Sequence, residues 1–315
     1  MNLKLGIVMD PIESIKTYKD SSFAMLLAAQ KKGWPIYYMQ QNDLFSTNGR
    51  VFANTQQLHV DDNTVNWFEL SSPETIPLAE LDVILMRKDP PFDMEYIYTT
   101  YLLEAAEREG TLIINKPSSL RDANEKLFAT HFPQCCTETL VSSNPQQIRE
   151  FIKSRKDVIL KPLDSMGGQS IFRLTPDDPN LSVIIENMVQ HRKRTIMAQQ
   201  FIPEITEGDK RILLVNGEAV PYVLARIPAP GETRGNLAAG GQGVGMEINT
   251  REKWICEQIG PTLKEMGLIF VGIDVIGDYL TEINVTSPTC IRELDQQFGL
   301  DIGMQLMNCI ETLKS

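Results

Sequence analysis

Thr281-Glu282-Ile283-Asn284-Val285-Thr286-Ser287-Pro288 is the stretch on which the fold turns. Polar and apolar residues alternate, so Glu282 and Asn284 fall on one face of a strand and Ile283 and Val285 on the other. Two hard oxygen donors side by side suit Mg2+, which takes carboxylates together with phosphate oxygens and water. The same alternation also fits a strand with one solvated face, with Asn284-x-Thr286 a chance glycosylation sequon. Asp274 adds a third oxygen donor in one register only. A two-residue turn at Gly277-Asp278 would pair Asp274 with Thr281 and send it to the wrong face. A three-residue loop pairs it with Glu282 and gathers all three, so the three-residue loop is expected.

Working outward, Leu268 to Ile276 reads as the preceding strand and Arg251 to Met266 as a helix. Arg211 to Val215 and Glu218 to Arg226 flank Asn216-Gly217, a strong hairpin signal. Pro221 places the second of these strands at an edge or a bulge. Pro228 to Gly245 has no periodicity and is rich in Gly, Ala and Pro. Glycine hinges around Arg234 suit a lid, and a loop without function reads the same way. Upstream, Asp122-Ala123-Asn124-Glu125 fits a helix start. Strands are expected at Val158 to Lys161, Ile171 to Leu174 and Ile196 to Gln199, with a helix near Ser182 to Gln190. Between the first two strands runs Lys161-Pro162-Leu163-Asp164-Ser165-Met166-Gly167-Gly168-Gln169-Ser170. Its backbone N–H groups can cradle phosphate oxygens, although the spacing is neither a P-loop nor a dinucleotide fingerprint and a plain hairpin loop fits it too.

The first 120 or so residues read as an open α/β domain. Leu3 to Met9 is an apolar run of the kind buried on both faces. Ser21 and Ser22 can cap a helix stopped by Gly33, and Ile36 to Met39 follows, giving a β-α-β unit and hence a parallel sheet. Val83 to Met86, a helix over Asp93 to Glu109 and Leu112 to Ile114 continue the pattern.

Composition bounds the function classes. The chain has 315 residues, 42% apolar and 23% charged, the profile of a soluble globular protein with two or three packed units. No apolar run is long enough to span a membrane, and the N-terminus does not read as a secretory signal. A net charge of −11 argues against nucleic acid or an anionic membrane as partner. Five cysteines without a C-x-x-C pair and three scattered histidines point to free thiols in a reducing cytoplasm and to no zinc site. Lys126, Arg87, Arg211 and Arg226 are scattered cations, each of which alone reads as a surface residue. Cys290 reads as a buried apolar side chain rather than a nucleophile.

Taken together, these motifs resemble prokaryotic glutathione synthetase, of the ATP-grasp superfamily. The resemblance is carried by Lys19-Asp20-Ser21-Ser22-Phe23, Leu85-Met86-Arg87-Lys88-Asp89-Pro90-Pro91, Asn124-Glu125-Lys126, Ile159-Leu160-Lys161-Pro162, Gly231-Glu232-Thr233-Arg234-Gly235-Asn236 and the Thr281 to Pro288 strand. It runs from Gly6 to beyond Arg292. It implies an α/β and α+β protein: an N-terminal α/β substrate-side domain over 1–122, then a two-subdomain ATP-grasp fold, with the central lid subdomain at 123–202 and the C-terminal catalytic subdomain at 203–315. It implies ATP as co-substrate and Mg2+, with Mn2+ as the alternative, in a ligation of γ-L-glutamyl-L-cysteine to glycine through an acyl phosphate.

Carried onto this sequence, the resemblance gives the ATP phosphates to Lys126 and Lys161 and to the loop Asp164, Ser165, Met166, Gly167 and Gly168. Gln199, Gln200, Phe201 and Ile202 become the adenine-side hinge, with Asp209 near the nucleotide. The metal goes to Asp274, Glu282 and Asn284. Arg211, Arg226 and Arg234 face the peptide or the transferring phosphoryl group, and Arg87 touches substrate. Ser165 departs from the family's glycine, and Gln242 to Asn249 match it poorly. A cytoplasmic homo-oligomer, often a tetramer, is implied by resemblance alone. Two other readings stay open: a different ATP-grasp ligase of the D-alanine–D-alanine type, and a silent ATP-binding module.

Overall fold

A computed structural model describes residues 1–229 and 241–315. The first sheet comprises β1 (Leu5–Val8), β2 (Ile36–Met39), β3 (Leu44–Thr47), β4 (Arg50–Val60), β5 (Phe68–Leu70), β6 (Glu74–Pro77), β7 (Val83–Met86) and β8 (Leu112–Ile114). Its main path runs β3-β4-β2-β1-β7-β8, with β5 and β6 also paired to β4. The β2-β1-β7-β8 part is parallel, as the β-α-β reading requires. Every residue of β1 and β7 is buried, which is why both read as unbroken apolar runs.

The sheet is not wholly parallel, however, because β3 to β6 add antiparallel strands. The sequence reading passed over this stretch. β4 buries alternate residues between Asn54, Gln56 and Gln57, so it carries little apolar signal. Helix α1 (Ser21–Lys31) is capped by Asp20, whose Oδ1 accepts from Phe23 N at 2.7 Å. Ser21 and Ser22 were expected to cap it and instead lie inside its first turn. Gly33, at φ +77°, ends it as expected. Helix α2 (Met94–Arg108) packs on the first sheet, and α3 (Pro117–Asp122) packs against α2. Helix α3 stops where a helix was expected to begin, and Asn124, Glu125 and Lys126 form an irregular segment.

The second sheet has the order β11 (Phe172–Leu174), β10 (Val158–Pro162), β12 (Ile196–Gln200), β9 (Thr139–Ser142), all antiparallel. Helices α4 (Pro145–Arg155) and α5 (Leu181–Val189) cover one face through Ile148, Ile152, Ile185 and Met188. The core they form is separate from the rest of the molecule.

The third sheet runs β15 (Gln242–Glu247), β14 (Glu218–Ile227), β13 (Asp209–Val215), β16 (Phe270–Ile276), β17 (Tyr279–Asn284). Strand β15 lies where the sequence reading expected a structureless loop. It pairs with β14, so Pro221 is not on an edge. The bulge alternative holds, with the β13–β14 register shifting opposite Leu213. Helix α6 (Thr250–Glu265) opens with a capping box between Asn249 and Glu252. Helices α7 (Ile291–Phe298) and α8 (Ile302–Lys314) return to pack on α1. Leu213, Leu224 and Phe270 of the third sheet share one core with Leu5, Ile7 and Leu306, so the first and third sheets are fused.

The β16–β17 hairpin reaches the expected register by a different device. Ile276 pairs with Tyr279 across a two-residue turn at Gly277-Asp278, and Val275 pairs with Leu280. A bulge then leaves Thr281 unpaired, and Asp274 meets Glu282 after all. The extra residue also switches the facing pattern. Leu280, Ile283 and Val285 are all buried in the core although Leu280 differs from the other two by an odd step. Glu282 and Asn284 are thereby freed for the opposite face.

Candidate active site

The third sheet sets its charges in a row. Arg211 lies opposite Asp274, and Asp274 opposite Glu282. The Arg211 guanidinium donates to Asp274 from Nε at 2.6 Å and from a terminal nitrogen at 3.1 Å. Gly272 leaves room for that arginine, since a Cβ there would lie 2.9 Å from Arg211 Cδ. Arg226 reaches Asp274 Oδ2 at 3.0 Å and Asp209 Oδ2 at 2.6 Å. Asn284 Nδ2 donates to Asp274 Oδ2 at 3.3 Å, and Asn284 Oδ1 has no hydrogen-bond partner among the described residues. Burial works against ionising Asp274, but Arg211 and Arg226 outweigh it and hold the carboxyl below the usual range. For Asp209 burial wins: it is pushed up to about 6, with Arg226 opposing and the charge of Asp274 adding. Asp209 Oδ1 is buried and has no hydrogen-bond partner among the described residues.

The two lysines come from elsewhere in the chain. Lys126 follows α3 and is buried; its Nζ donates to the backbone oxygen of Ser165 at 2.5 Å and stands 3.7 Å from Glu282 Oε1. Lys161, near the end of β10, is also buried. Burial lowers its pKa, Glu282 opposes that, and the nearby Lys126 charge adds to it. Two buried ammonium groups near one glutamate leave an excess of positive charge that an anionic ligand would neutralise.

All of these groups line one cavity of about 590 Å3 set among the three sheets. Of the site residues named from sequence, it gathers Arg87, Lys126, Lys161, Ser165, Met166, Gly167, Gly168, Gln199, Gln200, Phe201, Ile202, Asp209, Arg211, Arg226, Asp274, Glu282 and Asn284. Arg173 stacks behind Phe201, 3.6 Å from its ring centre, and is itself held by both oxygens of Asp157. Arg87 is buried, donating to Ser22 Oγ at 3.0 Å and to the Pro288 oxygen at 2.9 Å. Asp164 is not in the lining: its carboxylate pairs with Arg194 and turns outward, two-thirds exposed at 65%. Arg234, and with it most of the expected lid, lies outside the described residues.

Sequence reasoning missed the role of Glu125. Its spacing suggests the third residue of a helix cap, and the structure makes it the cap of a strand end. Its Oε1 accepts from Val285 N at 2.9 Å, Thr286 N at 3.1 Å and Thr286 Oγ1 at 2.8 Å. Glu125 thereby ties the Lys126 segment to the end of β17 and brings Lys126 to Glu282. Lys19, Asp20 and Glu293 also line the cavity and were not singled out for a role. Sequence spacing could not have joined them, because Glu293 reaches the others only through the packing of α7 on α1.

Comparison with known proteins places this arrangement. The family described as prokaryotic glutathione synthetase, N-terminal domain, matches residues 3–121, and prokaryotic glutathione synthetase, ATP-grasp domain, matches residues 125–299. The chain is 61% identical over 311 residues to a glutathione synthetase of Pseudomonas putida, covering 99% of this chain and 98% of that one. It is 54% identical over 312 residues to a glutathione synthetase of Coxiella burnetii, covering 99% and 97%. Among solved structures it is similar to the D-cycloserine synthetase DcsG, with TM-score 0.69, 12% identity and 99% and 100% coverage. It is also similar to the ATP-grasp ligase PsnB complexed with minimal precursor, Mg and ADP, with TM-score 0.63, 14% identity and 98% of each chain covered. At such identities these two structures establish the ATP-grasp fold and nothing finer.

Proposed function

We propose, from the premise that the chain belongs to the prokaryotic glutathione synthetase family, that its cavity joins γ-L-glutamyl-L-cysteine to glycine with conversion of ATP to ADP and phosphate, giving glutathione. The chain is an ATP-dependent carboxylate–amine ligase. The observation that carries the residue assignments is the meeting of Lys126 and Lys161 with Glu282 and Asn284 in one cavity.

The phosphates lie between the two lysine amines and the backbone N–H groups of Ser165 to Gly168, with the purine against Gln199 to Ile202. Divalent metal use is general to the family, and the donor set here is hard oxygen. Glu282 lies near both Lys126 and Lys161, Asn284 Oδ1 has no hydrogen-bond partner among the described residues, and the Asp274 carboxylate accepts from Arg211, Arg226 and Asn284. These three would hold Mg2+, or Mn2+, against phosphate oxygens, and the ion would supply charge neutralisation. Among the described residues no cluster of three or more His, Cys, Asp or Glu offers a metal cage of its own. That fits a cation shared with the nucleotide.

The cysteinyl carboxylate attacks the γ-phosphorus, forming a P–O bond as the bond to ADP breaks. The glycine amine then attacks the acyl carbon, loses a proton and expels phosphate. A guanidinium has five N–H donors. Arg211 gives two to Asp274, and Arg226 gives its Nε and one terminal nitrogen to Asp209 and Asp274. Among the described residues both keep donors for the oxygens on which charge develops, and their acidic partners hold them in place. Residues 1–122, 123–202 and 203–315 act as substrate-side, lid and catalytic units. No helix among the described residues is long and apolar enough to cross a membrane. We place the enzyme in the cytoplasm as a homo-oligomer, tetramers included.

A phosphate-release assay checks the reading. Phosphate should appear from ATP only when γ-glutamylcysteine and glycine are both present. Equal turnover with D-alanine alone would transfer the chain to the D-alanine–D-alanine type of ligase.

A further inference from the structure

The loops at one end of the second sheet carry a charge opposite to that of the chain as a whole. Pro162 at the end of β10 pairs with Ile196 at the start of β12, and Ile196 pairs with Ser142 at the end of β9. The register therefore brings three segments to this end: 142–147, the glycine loop 163–171, and the turn 190–195 that leads from α5 into β12. Together they hold three cations, Arg192, Lys193 and Arg194, and one acid, Asp164, in a protein whose net charge is −11.

The turn is a built feature. Lys193 N donates to the Gln190 oxygen at 3.2 Å and Arg194 N to the Val189 oxygen at 3.0 Å. Gln190, His191 and Arg192 all take left-handed backbone, at φ +45°, +57° and +67°, which costs energy in residues other than glycine. Arg192 and Lys193 are exposed. Arg194 pairs with Asp164, next to the loop residues Ser165 to Gly168 that line the cavity. Neither Arg192 nor Lys193 is part of that lining, so both stand at the rim. Charges that do not touch a ligand act on it through their field. A polyanion approaches an acidic protein against net repulsion, and a local cluster of opposite sign offsets this along one path. Of the three substrates, ATP carries the most negative charge, and glycine carries no net charge.

We infer that Arg192 and Lys193 form an electrostatic rim that draws the ATP polyphosphate to the glycine loop, so that they set the rate of nucleotide capture without touching the bound nucleotide. The inference rests on the nucleotide part of the ligase reading above.

Stopped-flow mixing with fluorescent N-methylanthraniloyl-ATP and Mg2+ separates capture from release. Arg192→Glu combined with Lys193→Glu should lower the association rate constant by about 10-fold at about 0.01 M salt, where the Debye length is about 30 Å. The dissociation rate constant should stay within about twofold of wild type, and kcat for ligation should not change. At about 1 M salt, where the Debye length is about 3 Å, variant and wild type should converge. The control is Lys153→Glu combined with Lys156→Glu, which changes net charge equally at the far end of the same sheet, where α4 leads into β10. It should associate as wild type does. An equal loss in the control assigns the effect to net charge and overturns the rim. A loss that persists at high salt, or that falls on dissociation, reports a contact and overturns it too. Cations after a helix also complement its dipole. A variant that melts earlier but associates like wild type has lost only that, and the inference fails. A wild type that binds no nucleotide overturns the ATP reading and this inference with it. Rim-dependent capture without glutathione formation supports this inference and overturns the assignment of the other two substrates.

Discussion

Glu282→Ala is expected to lower turnover by about 100- to 1,000-fold, or about 3–4 kcal/mol of transition-state stabilisation. The size follows from its place. Glu282 faces the cavity opposite Asp274 and beside Lys126, where a carboxylate can hold a cation against transferring phosphate. Stability should hardly change. The side chain is 23% exposed, and Lys126 keeps its bond to the Ser165 oxygen when the glutamate is gone. The strand's buried anchors, Leu280 and Ile283, are untouched. Phosphate release and a melting curve on the same sample check both halves. Turnover within threefold of wild type would remove Glu282 from the site.

Asp274→Ala, one strand away, should do the opposite kind of damage. Asp274 is the shared partner of Arg211 and Arg226, and all three are buried. Breaking a buried ion pair from one side costs about 3–5 kcal/mol, because the remaining charge has no replacement for water. Here two guanidinium groups lose a partner, although Arg226 retains Asp209. We therefore expect a stability loss of about 3–5 kcal/mol by denaturant titration, together with loss of ligase activity. Asp274→Asn keeps the shape and one acceptor and should fall between. A loss below about 1 kcal/mol for the alanine variant would mean that water reaches the arginines and the pair does not organise the site.

The difference between these two carboxylates was only half legible in the sequence. The alternation from Thr281 to Pro288 put Glu282 and Asn284 on one face, and the structure agrees. Asp274 reached the expected register, but through a bulge at Thr281 rather than a three-residue loop. The clue was Leu280, an apolar residue that a regular strand would have placed on the same face as Glu282. The pairing of Asp274 with two arginines was not readable, because it depends on the β13–β16 register and that is set by packing. Glu125 misled for a related reason. A carboxylate that follows Asn and precedes a buried lysine satisfies backbone donors in either a helix or a strand end, and local sequence does not say whose donors they are. Strands β3 to β6 were missed because their polar residues alternate with few large apolar ones. The buried runs of β1 and β7, the Asn216-Gly217 turn and Gly33 were legible because each rests on chemistry local to a few residues.

The small core beneath α4 and α5 stands apart from the one that fuses the other two sheets. The chain's three tryptophans, Trp34, Trp67 and Trp254, all lie outside that unit. Cooperative units with separate cores open with separate free energies. The unit built on the second sheet would thus come apart silently to tryptophan emission, while circular dichroism recorded an earlier loss of helix and strand. Coincident midpoints by the two signals would mean that the cleft contacts weld the molecule into a single melting body.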